Sequence, residues 1–540
     1  MRNKFVLLMF ILLITLSGCN FTDSEKTPSE DDVEIDNGLG KDYYDEVNTS
    51  FMYDAFFDLN NKIEIKINIS KTEIAKIQKD FETYGSEGNI YRVADSVEII
   101  VTYRDKTQVS YEILEVGIRM KGNTSRHNFY NNGIRELIHY KLSFQETFDD
   151  KQLYKKSEIK TWESLEEREN RKNRTFFDLR GLEIKFNSEV DLTYSKDVYA
   201  SRIYREYGVL AQQTTVGIIN MNLDNDPKYS GTLGVYRIYE PLDRVFIKRN
   251  FPENNNDGEL YKATWGSAKG MPTLNSKSSK SYGVDDSLPG EAKAVSYDLK
   301  TNKKKSNHEN IQALLNWING SSNYIGGNLY KYIDEESFLT YLAIMYLSGD
   351  WDNFMYDSNN YFMYFDESGI CYFMPFDMDR TFGLQSKHRN MASRTPFDTY
   401  NLQGYNNRSN LLKRTIDVKD SEFRSKYHAR IKEISKGVLN EEKFYTIYNS
   451  IYSNYKDDIM PTMPTLAYHY EYNLDNNFCH LIQDRLITIN DSTEYNYTFK
   501  EYIAEKQKTV NETLGWLIWS ITIIHIQNYV IMLLEWAKII

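Results

Sequence analysis

The sequence predicts an α+β protein with a strand-rich N-terminal part and a helix-rich C-terminal part. From Lys62 to Ile69, and again from Gly231 to Tyr239, the apolar patterning is that of a strand. Beyond Asn302, apolar residues recur every three or four positions, as they do from Glu335 to Ser348, which indicates helices. These patterns argue against an all-helical fold.

The same patterns place further elements in both parts. Strands are predicted at Ser96–Tyr103, Gly117–Lys121, Tyr140–Phe144 and Thr214–Met221. Helices are predicted at Lys71–Phe81, Lys196–Tyr207, Ile311–Trp317, Asp420–Val438 and Asn440–Tyr455. We therefore expect one large folded unit, with residues 51–300 rich in strands and residues 301–510 rich in helices.

The N-terminus has the features of an export signal. A short basic segment precedes an apolar run from Phe5 to Leu16, which is too short to span a bilayer. The run ends in Leu-Ser-Gly-Cys, which is typical of a bacterial lipobox, so residues 1–19 are predicted to be a lipoprotein signal peptide lipidated at Cys19. An ordinary secretory signal is the alternative. Residues 20–50 are polar and acidic and predict a disordered tether. We expect an extracytoplasmic protein anchored to the outer face of the bacterial membrane.

The net charge of the chain and its C-terminal tail are also informative. The net charge of −12 argues against a nucleic-acid partner, because phosphate backbones attract basic surfaces.

Residues 511–540 are apolar but contain His525, Gln527 and Asn528, and polar groups are costly in hydrocarbon. Three interpretations of this tail stay open: a C-terminal membrane segment, an amphipathic docking helix, and a tail altered by a frameshift.

Acidic residues stand at both ends of a predicted hairpin. Tyr361–Phe365 and Ile370–Pro375 are predicted to be strands joined by a turn. Folding the hairpin brings the loop of Asp352 and the loop of Asp377 to the same edge. Phosphoryl transfer needs one carboxylate to orient the attacking hydroxyl, and another, with an amide oxygen, to hold a metal ion against the phosphates.

These requirements suggest roles for the acidic residues. Asp352 is the candidate catalytic carboxylate, and Asn360, Asp377 and Asp379 are the candidate metal ligands. Asn353 and Asn359 are alternative ligands, because the gap from Asp352 to Asn360 is longer than in the usual kinase catalytic loop. The alternative to a site is a set of solvated turn residues.

The segment from Asp352 to Gly383, which ends in Pro-Phe-Asp-Met-Asp-Arg-Thr-Phe-Gly, resembles the CotH-type spore-coat kinase family. Three other blocks resemble the family in the same order: Gly117–Arg126 with its Gly-Asn-Thr-Ser loop, Gly234–Asp243, and Gly258–Ala263 with its Leu-Tyr-Lys string. Together the blocks span most of the chain after the predicted signal and tether.

The resemblance implies an atypical protein-kinase-like fold of two lobes, with a strand-rich N-lobe at residues 51–300 and a helix-rich C-lobe at residues 301–510. It implies a secreted kinase that uses ATP and Mg²⁺ or Mn²⁺ to phosphorylate Ser or Thr of an exported surface or spore-coat protein, with the spore coat as a second location. The alternative is a catalytically inactive surface or coat module that recognises protein or polysaccharide. No His-Arg-Asp or Asp-Phe-Gly string of the standard kinases occurs.

The resemblance also points to a nucleotide site in the first half of the chain. A tight loop offers backbone amides and hydroxyls suited to phosphates. Its residues are Gly122, Asn123, Thr124 and Ser125. Arg119 and Arg126 flank the loop and are expected to neutralise phosphate charge. An ordinary hairpin turn is the alternative.

Two lysines compete for the role of phosphate contact. Lys141 lies on the strand after the loop, and Lys262 lies in the Leu-Tyr-Lys string. Glu240 is expected to form an ion pair with whichever lysine has this role.

Overall fold

The computed structural model describes residues 46–123, 125–131, 134–188, 191–224, 230–469 and 496–515. The predictions for the signal peptide with Cys19, for most of the tether, for Thr124 and for the apolar tail from residue 516 lie outside the described residues.

A closed barrel forms the first part of the chain. The strands of this part are β1 (Lys62–Ile69), β2 (Arg92–Thr102), β3 (Gln108–Met120), β4 (Tyr130–Asn131), β5 (Ile134–Arg135), β6 (Tyr140–Ser143), β7 (Gly181–Lys185), β8 (Thr214–Leu223) and β9 (Gly231–Tyr239). Seven of them close the barrel in the order β1-β2-β3-β6-β7-β9-β8, and β4 pairs with β5. Every second residue of β1 is buried, as expected of a strand with one face on the core. The parallel pairing of β1 with β8 closes the barrel.

Within the described residues, five α-helices accompany the barrel. They are α1 (Glu46–Phe57), α2 (Lys71–Tyr84), α3 (Leu165–Asn173), α4 (Lys196–Glu206) and α5 (Arg244–Asn250). Helix α2 begins after Ser70, whose side chain accepts a hydrogen bond from the backbone N–H of Glu73 and satisfies a free donor at the helix start.

A second sheet joins residues that are far apart in sequence. Its strands are β10 (Glu259–Ala263), β11 (Tyr282–Gly283), β12 (Tyr297–Leu299), β13 (Tyr361–Phe365) and β14 (Cys371–Pro375), in the order β11-β12-β10-β13-β14. The predicted hairpin is present as β13 and β14, with Tyr361 opposite Pro375. Strand β10 pairs with β13, so the Leu-Tyr-Lys block lies beside the hairpin.

Helices dominate the rest of the chain. They are α6 (Glu309–Ile318), α7 (Glu335–Ser348), α8 (Phe354–Asp357), α9 (Ser386–Arg389), α10 (Asn410–Lys413), α11 (Glu422–Val438) and α12 (Glu441–His469), and residues 499–515 are also helical. Helix α7 is buried along most of its length and packs against α11 and β14. It ends at Gly349, whose φ of 64° is the left-handed geometry of a helix C-cap. The loop that carries Asp352 begins directly after this cap.

The mixed α+β architecture is confirmed. The bounds of β1, β9 and α7 coincide with those predicted from the sequence. No helix within the described ranges combines the length and the apolar character needed to cross a membrane.

Candidate active site

A cavity of about 640 Å³ is lined by residues of the barrel strands and of the second sheet with its loops. Among the predicted site residues it contains Arg119, Gly122, Asn123, Ser125, Arg126, Lys141, Lys262, Asp352, Asn360, Asp377 and Asp379. Glu240 is not part of the lining.

The barrel side of the cavity carries a row of charged residues on adjacent strands. Arg119 on β3 is opposite Lys141 on β6, which is opposite Glu183 on β7. The Glu183 carboxylate accepts from Lys141 Nζ at 2.8 Å and lies 3.0 Å from Lys121 Nζ. Burial raises the pKa of Glu183, but the two ammonium groups outweigh it and hold the pKa well below its usual value. Glu183 is therefore ionised and neutralises much of the charge of both lysines.

A second ion pair joins the barrel to the hairpin. Lys185, two residues beyond Glu183 on β7, forms an ion pair with Asp377 and lies 3.7 Å from a carboxylate oxygen of Asp379. Its side chain is only 3% exposed. Burial lowers the pKa of Lys185, but the two carboxylates outweigh it and raise the pKa. The pKa of Asp377 is likewise held below its usual range by Lys185 and Lys121, despite burial.

Lys262 differs from the other lysines of the cavity wall. Its ammonium lies 4.5 Å from the ring centre of Phe376, and no carboxylate of the described residues is within ion-pair distance. Burial lowers the pKa of Lys262 to about 7, although Glu183 opposes the shift. Among the lysines of the cavity wall, Lys262 therefore has the charge that nearby carboxylates compensate least. An anionic ligand would stabilise its charged form.

The two ends of the β13–β14 hairpin share an unusual backbone geometry. Asn360 and Asp377 have φ angles of 50° and 58°, and the Phe376 N–H donates to the Asn360 carbonyl at 3.1 Å. Left-handed conformations at residues other than glycine cost about 1–3 kcal/mol and cluster at functional sites. The Asn360 amide donates to the Asp352 carbonyl at 2.8 Å, so the loops of Asp352 and Asp377 meet at one edge as the sequence predicted.

Asp352 lies among both charged and neutral partners. A guanidinium nitrogen of Arg380 is 3.3 Å from one carboxylate oxygen, and the Asn359 amide donates to the other at 3.3 Å. Burial raises the pKa of Asp352, and Arg380 opposes the shift. The carboxyl of Asp357 forms a hydrogen bond with Asp352, and burial together with the Asp352 charge raises the pKa of Asp357 to about 7. The hydrogen bond between the two acids favours the protonated form of Asp357 and the ionised form of Asp352.

The Gly-Asn-Thr-Ser loop is constrained at Gly122 and at Ser125. Gly122 has a φ of 96°, and a Cβ at this position would overlap Ser125 Oγ. Ser125 Oγ lies 2.7 Å from Nδ1 of His139, and Nε2 of His139 lies 3.2 Å from the Phe186 carbonyl. Because a carbonyl only accepts, Nε2 carries the ring proton and Nδ1 accepts from Ser125. The hydroxyl proton of Ser125 therefore holds the loop and is not available to a phosphate.

The expected ion pair of Glu240 with a lysine of the cavity is wrong. Among the described residues, Glu240 pairs with Arg249 and also accepts a hydrogen bond from the backbone of Gln213. Glu240 directly follows β9 and is 1% exposed. The carboxylate that pairs with Lys141 is Glu183.

Sequence reasoning did not identify several charged residues of the cavity, among them Lys121, Glu183, Lys185 and Asp357. The sequence pattern of β7 indicates two of them, Glu183 and Lys185. Leu182 and Ile184 are buried in the core, and Glu183 and Lys185 alternate with them on β7. Charged residues at alternate positions of an otherwise apolar strand indicate a face that meets a polar cavity.

The candidate metal ligands have the donors that Mg²⁺ prefers, namely carboxylate and amide oxygens. Within the described ranges, no three or more His, Cys, Asp or Glu side chains are grouped as a metal centre. Protein sites for Mg²⁺ often supply only one or two carboxylates and leave the other positions to water and phosphate. The ionised Asp377, with Asp379 and the Asn359–Asn360 amides nearby, fits such a shared site. Asn353, one of the two alternatives to Asn360, is 0% exposed, donates to Asp350 and does not line the cavity.

The fold and this cavity define an α+β protein with a cleft in which lysines and arginines face a set of carboxylates. A family model described as CotH kinase protein matches residues 118–508. Since the match covers more than half of the chain, the protein belongs to the CotH kinase protein family. A search of curated proteins found no match.

Proposed function

We propose that this protein is an atypical protein kinase that transfers the γ-phosphate of ATP to a Ser or Thr hydroxyl of an exported protein. The observation that carries the proposal is the meeting of Asp352 and Asp377 in one cavity with Lys121, Lys141 and Lys262. A cleft with carboxylates on one side and cations on the other suits a magnesium nucleotide and an acceptor hydroxyl.

The cations give the nucleotide an orientation. We propose that Lys262 and Arg119 contact the phosphates, because the charge of Lys262 is least compensated and Arg119 lies in the same row of the barrel wall. Lys121 and Lys141 add a positive field that Glu183 limits. Trp265 on the rim of the cavity is 37% exposed and offers an aromatic face to the base.

The carboxylates have two roles in this proposal, proton acceptance and metal binding. Asp352 orients the acceptor hydroxyl and accepts its proton as the acceptor oxygen bonds to the γ-phosphorus and ADP leaves. Asp377, Asp379 and Asn360 would hold Mg²⁺ or Mn²⁺, which supplies charge neutralisation of the phosphates when bound. The Lys185 ammonium fixes Asp377 in place from the barrel side.

The kinase-like arrangement of two lobes is part of the proposal. Residues 51–300 and residues 301–510 both line the cavity, which supports a cleft between two lobes. We further propose that the protein is exported and lipid-anchored through Cys19 on the outer face of the bacterial membrane, or acts in a spore coat. The basic and apolar N-terminus and its Leu-Ser-Gly-Cys string support this location.

Phosphate transfer from radiolabelled ATP tests the proposal. The purified chain is incubated with Mg²⁺ or Mn²⁺, alone and with a mixture of Ser- and Thr-containing proteins, and nucleotide binding is followed by thermal shift. Asp352→Ala should lose transfer by about 10²–10⁴-fold and keep the nucleotide-induced shift, because it removes the group that handles the proton. Asp377→Asn should weaken both. Asp105→Ala, at an exposed turn outside the cavity, is the matched acidic control.

The outcomes separate the two hypotheses. A wild-type chain that shows neither transfer nor a nucleotide-induced shift is the inactive binding module. Full transfer by Asp377→Asn would refute the metal assignment while leaving the kinase activity in place.

A further inference from the structure

A buried carboxyl lies directly beneath the loop of Asp352. Asp350 follows the C-cap of α7, is 0% exposed and does not line the cavity. It therefore cannot contact the nucleotide or the acceptor in this conformation. The roles proposed for the cavity residues leave this acid unexplained.

Hydrogen bonds connect Asp350 to Asn353, the residue that follows Asp352 in the loop. The Asn353 amide donates to Oδ2 of Asp350 at 2.7 Å, and the Tyr341 hydroxyl of α7 donates to Oδ1 of Asn353 at 3.0 Å. Oδ1 of Asn353 also accepts from the backbone N–H of Phe354, the first residue of α8. Asp350 and helix α7 thus both hold the side chain of Asn353, which directly follows Asp352 in the loop.

The surroundings of Asp350 favour the neutral carboxyl. Oδ1 of Asp350 has no hydrogen-bond partner within the part of the chain that the structure describes, and a charged oxygen in that position is costly. Burial, with smaller contributions from the charges of Asp352 and Asp377, raises the pKa of Asp350 to about 8. Around it stand tyrosines from several elements: Tyr204 of α4, Tyr341 of α7, Tyr356 of α8 and Tyr502 of the helical residues 499–515.

We propose that Asp350 is a positioning residue, which fixes the loop of Asp352 for phosphoryl transfer through the hydrogen bond that it accepts from Asn353. The inference rests on the proposed kinase function and deepens it. Because Asp350 acts by accepting hydrogen bonds, an amide at this position keeps its function. A methyl group does not, since it removes both acceptor oxygens.

Steady-state kinetics of matched variants tests the inference. Asp350→Ala should lower kcat by about 10²-fold, which is the scale expected of a misplaced catalytic group, and leave the KM for ATP unchanged. Asp350→Asn should stay close to wild type. Tyr341→Phe, which removes the donor to Asn353, should lower kcat by a smaller factor. Tyr346→Phe is its control, because this hydroxyl on the same helix donates to the Arg394 carbonyl instead.

Two results would overturn the inference. One is a kcat in Asp350→Asn as low as in Asp350→Ala, which would mean that the charge itself is required. The other is wild-type kcat in Asp350→Ala. If Asp350→Ala does not fold, the pair Tyr341→Phe and Tyr346→Phe decides, and equal kcat values in both would refute the network.

A structural measurement separates this inference from the proposed function. If the wild-type chain transfers no phosphate, the kinase proposal fails. Amide hydrogen exchange at Asp352 and Asn353 still tests the positioning role. Exchange there should become faster in Asp350→Ala and not in Asp350→Asn, and unchanged exchange in both would refute the role.

Discussion

Lys262 offers a sharp test of the electrostatics of the cavity, because replacing it should improve stability and impair binding. The difference between an ordinary lysine pKa of 10.5 and a pKa of about 7 corresponds to about 5 kcal/mol of unfavourable free energy for the charged form. Lys262 keeps part of its surface in solvent, so screening reduces this cost to about 2 kcal/mol. Lys262→Met removes the cost and should raise the free energy of unfolding at pH 6 by about that amount.

The pH dependence has a definite sign. The folded pKa of Lys262 lies below the unfolded pKa, so the destabilisation is complete below pH 7 and is relieved as the pH rises toward 10.5. The difference in stability between Lys262→Met and wild type should therefore shrink over this range. Denaturant unfolding of the nucleotide-free proteins at several pH values measures it.

Nucleotide binding should show the complementary effect. Phosphates stabilise the charged form, so binding takes up a proton, and affinity should fall by up to about tenfold for each pH unit above 7. Titrations between pH 7.5 and 9, where phosphates are fully ionised, should show this decline in wild type and a weaker, flatter profile in Lys262→Met.

Lys141→Met is the matched control, because Lys141 is paired with Glu183 and the carboxylate raises its pKa against the effect of burial. Removing Lys141 leaves Glu183 with one cation fewer, so the nucleotide-free protein should lose stability. The reasoning is refuted if Lys262→Met and Lys141→Met change the free energy of unfolding in the same direction.

Two further predictions concern the ion pair and the loop. Asp377→Asn should lower the free energy of unfolding by about 3 kcal/mol, because it leaves the buried Lys185 with only Asp379, whose carboxylate is 3.7 Å away, and adding Lys185→Met should restore most of it. Denaturant midpoints check this, and equal midpoints for Asp377→Asn and wild type would contradict it. Gly122→Ala should cost about 1–3 kcal/mol, since it forces a side chain into a left-handed conformation. Thermal unfolding should show partial recovery in the double variant with Ser125→Ala, and no recovery would mean that Ser125 does not obstruct the new methyl group.

The hairpin shows how much of the site local sequence could predict. Tyr361–Phe365 and the strand that follows carry a turn signal between them, and pairing of adjacent strands places their ends together. The meeting of Asp352 with Asp377 followed from this short-range rule. The bounds of helix α7 and of strands β1 and β9 could also be predicted, because one uninterrupted hydrophobic pattern defines each of them.

The carboxylate that pairs with the cavity lysines could not be predicted from local sequence. Glu183 is the middle residue of β7 and Glu240 directly follows β9. The alternation along β7 indicates a polar face for Glu183, but it does not show which residue Glu183 pairs with. The order β6-β7-β9 places Glu183 directly opposite Lys141, whereas Glu240 lies beyond β9 beside Arg249. Strand order in a barrel is set by packing and pairing over long sequence separations, so the correct ion pair could be known only from the fold.

The sequence by itself determined the α+β architecture, the hairpin with its acids and the blocks typical of the CotH kinase family, because each depends on the order of neighbouring residues. The tertiary structure alone decided which charges compensate one another. Closure of the barrel through β1 and β8 and the pairing of β10 with β13 bring Lys185 to Asp377, and they leave Lys262 with no carboxylate of the described residues at ion-pair distance. Electrostatic interactions depend on distance in space and on burial, and the chain sets both only when it folds.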